Sequence, residues 1–228
     1  MKLRNPMKLS EETNNILKNF GSINQSIMVK EGNVLRTISV MKNILAEARV
    51  TESFPRDFGI YDLNKLLRIH ELYKNPSWDF ANESYLLVKE DRSSYKFGFS
   101  DPNVIVSPPD KEISLPSEDA KFILEKEDLN KLLKISYTGQ LPDLSAIGDG
   151  STIRMVARDK KNPNSDAGDI VVGTTDATFE FNFKVENIKL VPGNYEVVIS
   201  SKLLSKFSNQ DQPIHYYIAL EPDSTYSG

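Results

Sequence analysis

Asp62-Leu63-Asn64-Lys65-Leu66-Leu67-Arg68-Ile69 returns 66 residues later as Asp128-Leu129-Asn130-Lys131-Leu132-Leu133-Lys134-Ile135. Seven of the eight positions are identical, and the eighth exchanges one cation for another. Self-similarity of this kind marks a chain built from repeated units. At 3.6 residues per turn the octapeptide reads as a helix. Leu129, Leu132 and Leu133 then share one face, with Lys131 and Lys134 opposite, and Lys65 and Arg68 take the same places in the first copy. Each helix is expected to bury leucines on one side and offer two cations on the other.

Around the octapeptides the chain alternates between helical and strand-like text. Ser10 reads as an N-cap ahead of Glu11 and Glu12, and Thr13, Ile16, Leu17 and Phe20 form one helix face that is expected to stop at Gly21. Ile27–Val29, Val34–Ile38 and Leu45–Val50 read as strands of an antiparallel meander. The first octapeptide helix spans about Tyr61 to Tyr73, followed by strands at Tyr85–Val88 and Tyr95–Phe99. Four prolines between Asp101 and Pro116 mark a linker near the midpoint. The second half repeats the layout: Phe122–Leu124, a helix from Glu127 to about Tyr137, and strands at Thr152–Ala157, Asp169–Val172 and Thr178–Val185. In the last of these Phe179, Phe181, Phe183 and Val185 alternate with polar residues, so one face should be buried. A short helical turn is expected at Glu186–Leu190, then strands at Tyr195–Ser200 and His215–Leu220. Helices starting near residues 10, 61, 127 and 186 give four β-α-β-β-β-like units, paired into two domains.

Composition bounds the function. The 228 residues are 39% hydrophobic and 26% charged, as in a soluble globular protein. No apolar run approaches the roughly 20 residues of a membrane span, and Met1 to Pro6 is not followed by the apolar core of a signal peptide. With no cysteine, disulfides and thiolate metal sites are excluded, and a reducing compartment is compatible. The net charge is -4, so any contact with nucleic acid must come from the placement of cations rather than from their excess.

No catalytic constellation assembles. His70 falls on the leucine side of its helix and reads as a core histidine, and neither it nor His215 has companions at metal-ligand spacing. Gly148-Asp149-Gly150-Ser151 precedes a strand rather than a helix, so it reads as a hairpin turn and not as a phosphate cradle. Asp159, Asp166 and Asp169, with Asn162 and Asn164, lack the spacing of a calcium loop and read as a surface loop. Trp78 reads as a packing residue. No enzyme activity, metal or cofactor is expected.

Met7-Lys8-Leu9-Ser10, the Ile16-Leu17-Lys18-Asn19-Phe20 helix, Ile23-Asn24, Ile27-Met28, Ile60-Tyr61-Asp62-Leu63-Asn64, Glu127-Asp128-Leu129 with Leu132-Leu133, Pro192-Gly193-Asn194-Tyr195, and Ala219 to Thr225 stand in one register along the chain. Together they resemble the sliding clamp family of T-even-type bacteriophages. The first six residues have no counterpart and read as an extension ahead of Met7. The loops around Asn75–Trp78 and Lys160–Gly168, and Leu203 to Gln212, also depart from the family pattern.

The resemblance implies an α+β subunit with two DNA-clamp-type domains, residues 7–100 and 117–228, joined by a connector over residues 101–116. It implies a homotrimeric ring with twelve helices lining a hole around double-stranded DNA and a continuous sheet outside. It implies a processivity factor for a replicative DNA polymerase, loaded by an ATP-driven clamp loader in the host cytoplasm, with late-transcription proteins as further partners. Lys18, Lys65, Arg68, Lys131, Lys134 and Lys189 are then the candidates for facing DNA. Val104, Ile105, Val106, Leu220 and Pro222 are the candidates for a pocket that takes a partner's peptide. The competing expectation is a β-rich phage ring or tail protein whose helix cations are ordinary solvated side chains.

Overall fold

The computed structural model describes residues 6–228, so the extension expected over residues 1–6 lies, Pro6 apart, outside the described residues. The chain divides into two compact units, one ending at Asp110 and one beginning at Lys111.

The first unit opens with α1 (Glu11–Ile23) and continues through β1 (Ile27–Val29), β2 (Gly32–Ile38), β3 (Ile44–Phe54), β4 (Phe58–Ile60), α2 (Leu63–Glu71), β5 (Ser77–Asp79), β6 (Tyr85–Glu90) and β7 (Ser93–Gly98). Ser10 caps α1, its hydroxyl accepting from the Thr13 N–H. A carboxylate from β3 completes the cap: Glu52 accepts from the Ser10 N–H and from the Thr13 hydroxyl. Thr13, Ile16, Leu17 and Phe20 are buried, as their spacing requires.

Two readings need correction. α1 does not stop at Gly21 but runs on to Ile23. Gly21 is instead a contact glycine, since a Cβ there would lie 2.5 Å from the Asn64 Oδ1 of α2. The expected meander also fails, because β1 pairs with β4 (Ile27 opposite Ile60) while β2 pairs with β3. β5, β6 and β7 form a separate antiparallel sheet in that order. Phe54, Phe80 and Phe99 each pack tilted against Phe58.

In the second unit β8 (Ala120–Leu124) leads into α3 (Lys126–Gly139), and the rest is strand: β9 (Asp143–Asp149), β10 (Thr152–Arg158), β11 (Ala167–Thr174), β12 (Thr178–Lys184), β13 (Tyr195–Ser200), β14 (Leu204–Asn209), β15 (Ile214–Ala219) and β16 (Thr225–Ser227). One sheet runs β11-β10-β9-β12-β16, and a second run is ordered β15-β14-β13-β8. The Gly150-Ser151 turn joins β9 to β10, with Asp149 accepting from the N–H groups of Ser151 and Thr152. The expected fourth helix is absent: Val185–Asn187 makes a single 3-10 turn, and Glu186–Leu190 is not an α-helix. β12 also departs from a one-sided strand. Phe179, Phe181 and Phe183 are buried as expected, but so is Asn182 on the opposite face. There Asn182, Ser145, Arg158 and Glu180 form one hydrogen-bonded cluster.

The Glu52 cap is sensitive to pH. Burial pushes its carboxyl up, but the hydrogen bonds from Thr13 and Ser10 outweigh this and leave it below its ordinary 4.5. A depressed carboxylate stabilises the fold above its unfolded value and loses that contribution as pH falls through the folded one. Replacing Glu52 with Gln should therefore cost about 1 kcal/mol at neutral pH, at the low end for a hydrogen-bonded charge because the group is partly exposed. Urea midpoints should show the difference closing as pH drops below 4.5.

Candidate nucleic-acid interface

The octapeptides take up helical structure in two different ways. In the first unit Asp62 is the N-cap of α2, accepting from the Lys65 N–H at 2.8 Å. In the second unit α3 begins three residues earlier in the repeat, at Lys126, so Asp128 lies inside its first turn. The Lys126 N–H is met by the Asn194 carboxamide at 2.9 Å. α3 ends where Gln140 turns left-handed, φ 54°.

The leucine faces point inward in both helices. Leu63, Leu66 and Leu67 are buried under α2, and Leu129 and Leu132 under α3, with Leu133 half-buried. α1 and α2 lie side by side, the Asn64 carboxamide donating to the Gly21 carbonyl at 3.1 Å. α3 packs on β10 and β11, so closely at Gly168 that a Cβ there would lie 2.9 Å from Ile135.

Lys65, Arg68, Lys131 and Lys134 are all exposed, and none has an ion-pair partner among the described residues. Lys131 and Lys134 flank a shallow groove of about 400 Å³ floored by Ile135 and Leu141, with Asp166 on its rim. Lys18 is different. It bridges from α1 to Glu71 of α2 at 2.6 Å, so its charge is largely offset. Lys189 follows the 3-10 turn, half-exposed, and sits on no helix. The structure thus brings Lys18, Lys65 and Arg68 onto one helix pair, and Lys131 and Lys134 onto α3.

The candidates for partner contact fall in both units. Val104 is exposed, at 56%, but Ile105 is buried, its side chain against Gly59 of β4. Val106 is half-buried, its carbonyl accepting from Asn24. In the second unit Leu220 is buried and Pro222 exposed. Sequence reasoning missed Val40 and Met41, exposed at 66% and 82% in the turn between β2 and β3. Two adjacent apolar residues in a turn were the available signal. The Asn24 amide donates to both the Ile38 and the Val106 carbonyls, which ties that turn's entry to the Val104–Val106 segment.

His70 is buried on the leucine side of α2, and the buried Trp78 donates its indole N–H to His70 Nδ1 at 3.1 Å. Both are core residues.

The fold as a whole is that of a DNA clamp. It matches the structure described as the C-terminal region of FEN-1 bound to A. fulgidus PCNA with a TM-score of 0.67 over 96% of this chain and 98% of that one, at 15% identity. Sequence narrows the class. Residues 10–106 match the family described as DNA polymerase processivity factor, and residues 121–222 match the gp45 sliding clamp C-terminal family. The sliding clamp of Vibrio phage KVP40 is 31% identical over 94% of this chain and 99% of its own length. That of Enterobacteria phage T4 is 31% identical over 96% and 99%. The chain belongs to the DNA polymerase processivity factor family, the sliding clamps.

His70 gives a second pH dependence. Burial lowers its pKa from 6.5; Glu71 raises it and Lys18 lowers it further. A base depressed by folding leaves stability intact above its unfolded value and removes it as pH falls below. Protonation at Nδ1 would also end the bond from Trp78. Stability measured by denaturant should fall as pH drops from 7 toward 5.5, and His70→Gln should flatten that limb.

Proposed function

We propose that three copies of this chain close into a ring around double-stranded DNA and tether a replicative DNA polymerase to it. The observation that carries this reading is the repeated octapeptide. In both units it buries leucines and presents two cations without carboxylate partners. Encirclement needs attraction to phosphate without base readout, because base contacts would fix the ring at one sequence. Lys65, Arg68, Lys131 and Lys134 are the principal DNA-facing cations, with Lys18 and Lys189 as lesser ones. A DNA-free structural ring would have no use for the same pair of cations on both helices.

Ring closure requires open sheet edges. The outer edge of β5 is covered by the bridge between Met7 and Trp78, whereas β7 lies open at the other side of its sheet. In the second unit the eight-residue β11 is the long free edge. Head-to-tail pairing of β7 on one copy with β11 on the next is a heterologous contact that a three-fold rotation can close.

The segment over residues 101–116 serves as the connector between domains at 7–100 and 117–228. Val104 and Val106, with the exposed Val40 and Met41 of the same unit, are suited to a partner's short apolar peptide, as is the exposed Pro222 of the second unit, while Ile105 and Leu220 are buried and serve as support. The PCNA of A. fulgidus, described bound to the C-terminal region of FEN-1, is consistent with such use. An ATP-driven clamp loader and late-transcription proteins complete the set of partners, and the host cytoplasm is the place of action.

Light scattering coupled to size exclusion should give about three times the 25.8 kDa subunit mass. Replacing Lys65, Arg68, Lys131 and Lys134 together with Ala should leave that mass unchanged. It should shorten retention on nicked circular DNA and reduce its salt dependence. Unchanged retention would remove the cation-lined hole.

A further inference from the structure

The repeat sets residues of α2 and α3 in correspondence: Asn64 with Asn130, Arg68 with Lys134, Glu71 with Tyr137. In the first unit this flank of α2 holds another helix. Asn64 donates to Gly21 of α1, and Glu71 pairs with Lys18 of α1. In the second unit the segment beside the C-terminal half of α3 is only the 3-10 turn, and an open groove of about 630 Å³ lies between Tyr137 and Val185. The flank that α2 uses to hold a helix is bare on α3. Tyr137 is 88% exposed, and the Asn130 side chain, also exposed, has no hydrogen-bond partner among the described residues.

Asn130, Lys134 and Tyr137 stand at i, i+4 and i+7, so they form one stripe. It is about 10 Å long at 1.5 Å rise per residue. Each presents a hydrogen-bond donor: a carboxamide N–H, an ammonium and a phenol O–H. From Asn130 onward the stripe contains no carboxylate. Glu127 lies one turn before it, Asp166 on the rim of the groove on the other side of Lys134 without pairing to it, and Glu186 across the open groove, where Lys184 is engaged by Asp143 at 2.6 Å. Donors surrounding one uncompensated cation suit a polyanion whose phosphates recur every 3.4 Å along the axis of each strand, and Asn and Tyr side chains are ordinary phosphate donors. An apolar protein helix on this flank would leave the ammonium and both polar side chains against its surface.

We propose that Asn130 and Tyr137 act with Lys134 to contact the sugar–phosphate backbone of the encircled duplex, so that the second unit engages DNA by neutral hydrogen bonds as well as by charge. The inference rests on the reading that α3 faces DNA. Because the chain has no cysteine, Asn130→Cys, Tyr137→Cys and Lys65→Cys each give a single site for an aryl-azide photocrosslinker. Ile123→Cys, on the exposed side of β8, sets the background. Rings loaded on nicked circular duplex are irradiated. DNA adducts at positions 130, 137 and 65 above the level at 123 are expected. Adducts at 65 but not at 130 and 137 would overturn the inference and leave the proposed function standing; adducts at none of the three would remove both. Attachment of 137 to a polymerase or loader subunit instead of DNA would assign the groove to a protein and also overturn the inference. In a second measurement, Asn130→Ala with Tyr137→Phe should shorten retention at least about tenfold, since the two donors are lost from each of three copies, with the salt slope unchanged. Lys134→Ala should instead lower the slope. Unchanged retention in the double variant, with an unchanged melting temperature, would overturn the proposal.

Discussion

Burial of the leucine faces decides where every cation on the octapeptide helices can point. Leu63, Leu66 and Leu67 under α2, and Leu129 and Leu132 under α3, leave each helix one rotational setting. Each fully buried leucine contributes about 1.5–3 kcal/mol, so turning either helix by a residue would forfeit several kcal/mol and press a lysine into the core. Solvated lysines exert almost no orienting force of their own. The cationic surface is therefore a consequence of packing, written in residues that never touch a ligand.

The same eight residues serve in two settings, and the difference is informative. α2 starts on its octapeptide aspartate and lies against α1, which requires a glycine at Gly21 and engages Glu71 with Lys18. α3 starts earlier, is capped from outside by Asn194, and has only a 3-10 turn near its C-terminal end. The first unit thus carries two helices and a partly offset set of charges. The second carries one helix with its cations and polar flank exposed. Repetition preserved the inward leucines and the outward cations alike, while the neighbours along the flank diverged.

Features governed by local periodicity were legible in the sequence. The Ser10 cap, the buried stripe of α1, the octapeptide helices and the alternation of β12 all follow from spacing. What escaped depended on distant partners. Gly21 carries the signal of a helix end, yet its role is set by Asn64, 43 residues away. Glu186–Leu190 has helical composition, but so short a segment ahead of Pro192 cannot offset the cost of nucleation. β9 was missed because Asp143 and Ser145 look like surface residues; they are fully buried because Lys184, Arg158 and Asn182 reach them from other strands. β1 alternates plausibly with either neighbour, and only the structure selects β4. For the site, the cations of α2 and α3 could be named in advance. The exposure of Val40 and Met41 and the bare flank of α3 required knowing which neighbours are present.

A net charge of -4 on a DNA-encircling protein is consistent once holding and binding are separated. A basic surface throughout would recruit DNA to the outside, and each phosphate neutralised adds a salt-dependent increment of affinity that slows translocation. A ring needs only modest attraction to stay centred, because closure adds to the hold that its phosphate contacts give. In the proposed reading, the four octapeptide cations of each copy, Lys65, Arg68, Lys131 and Lys134, against an acidic total, would meet that requirement. On the same reading, neutral donors beside Lys134 would extend it: they would add contact with the backbone without adding charge, and so strengthen centring while leaving the salt sensitivity of sliding where the lysines set it.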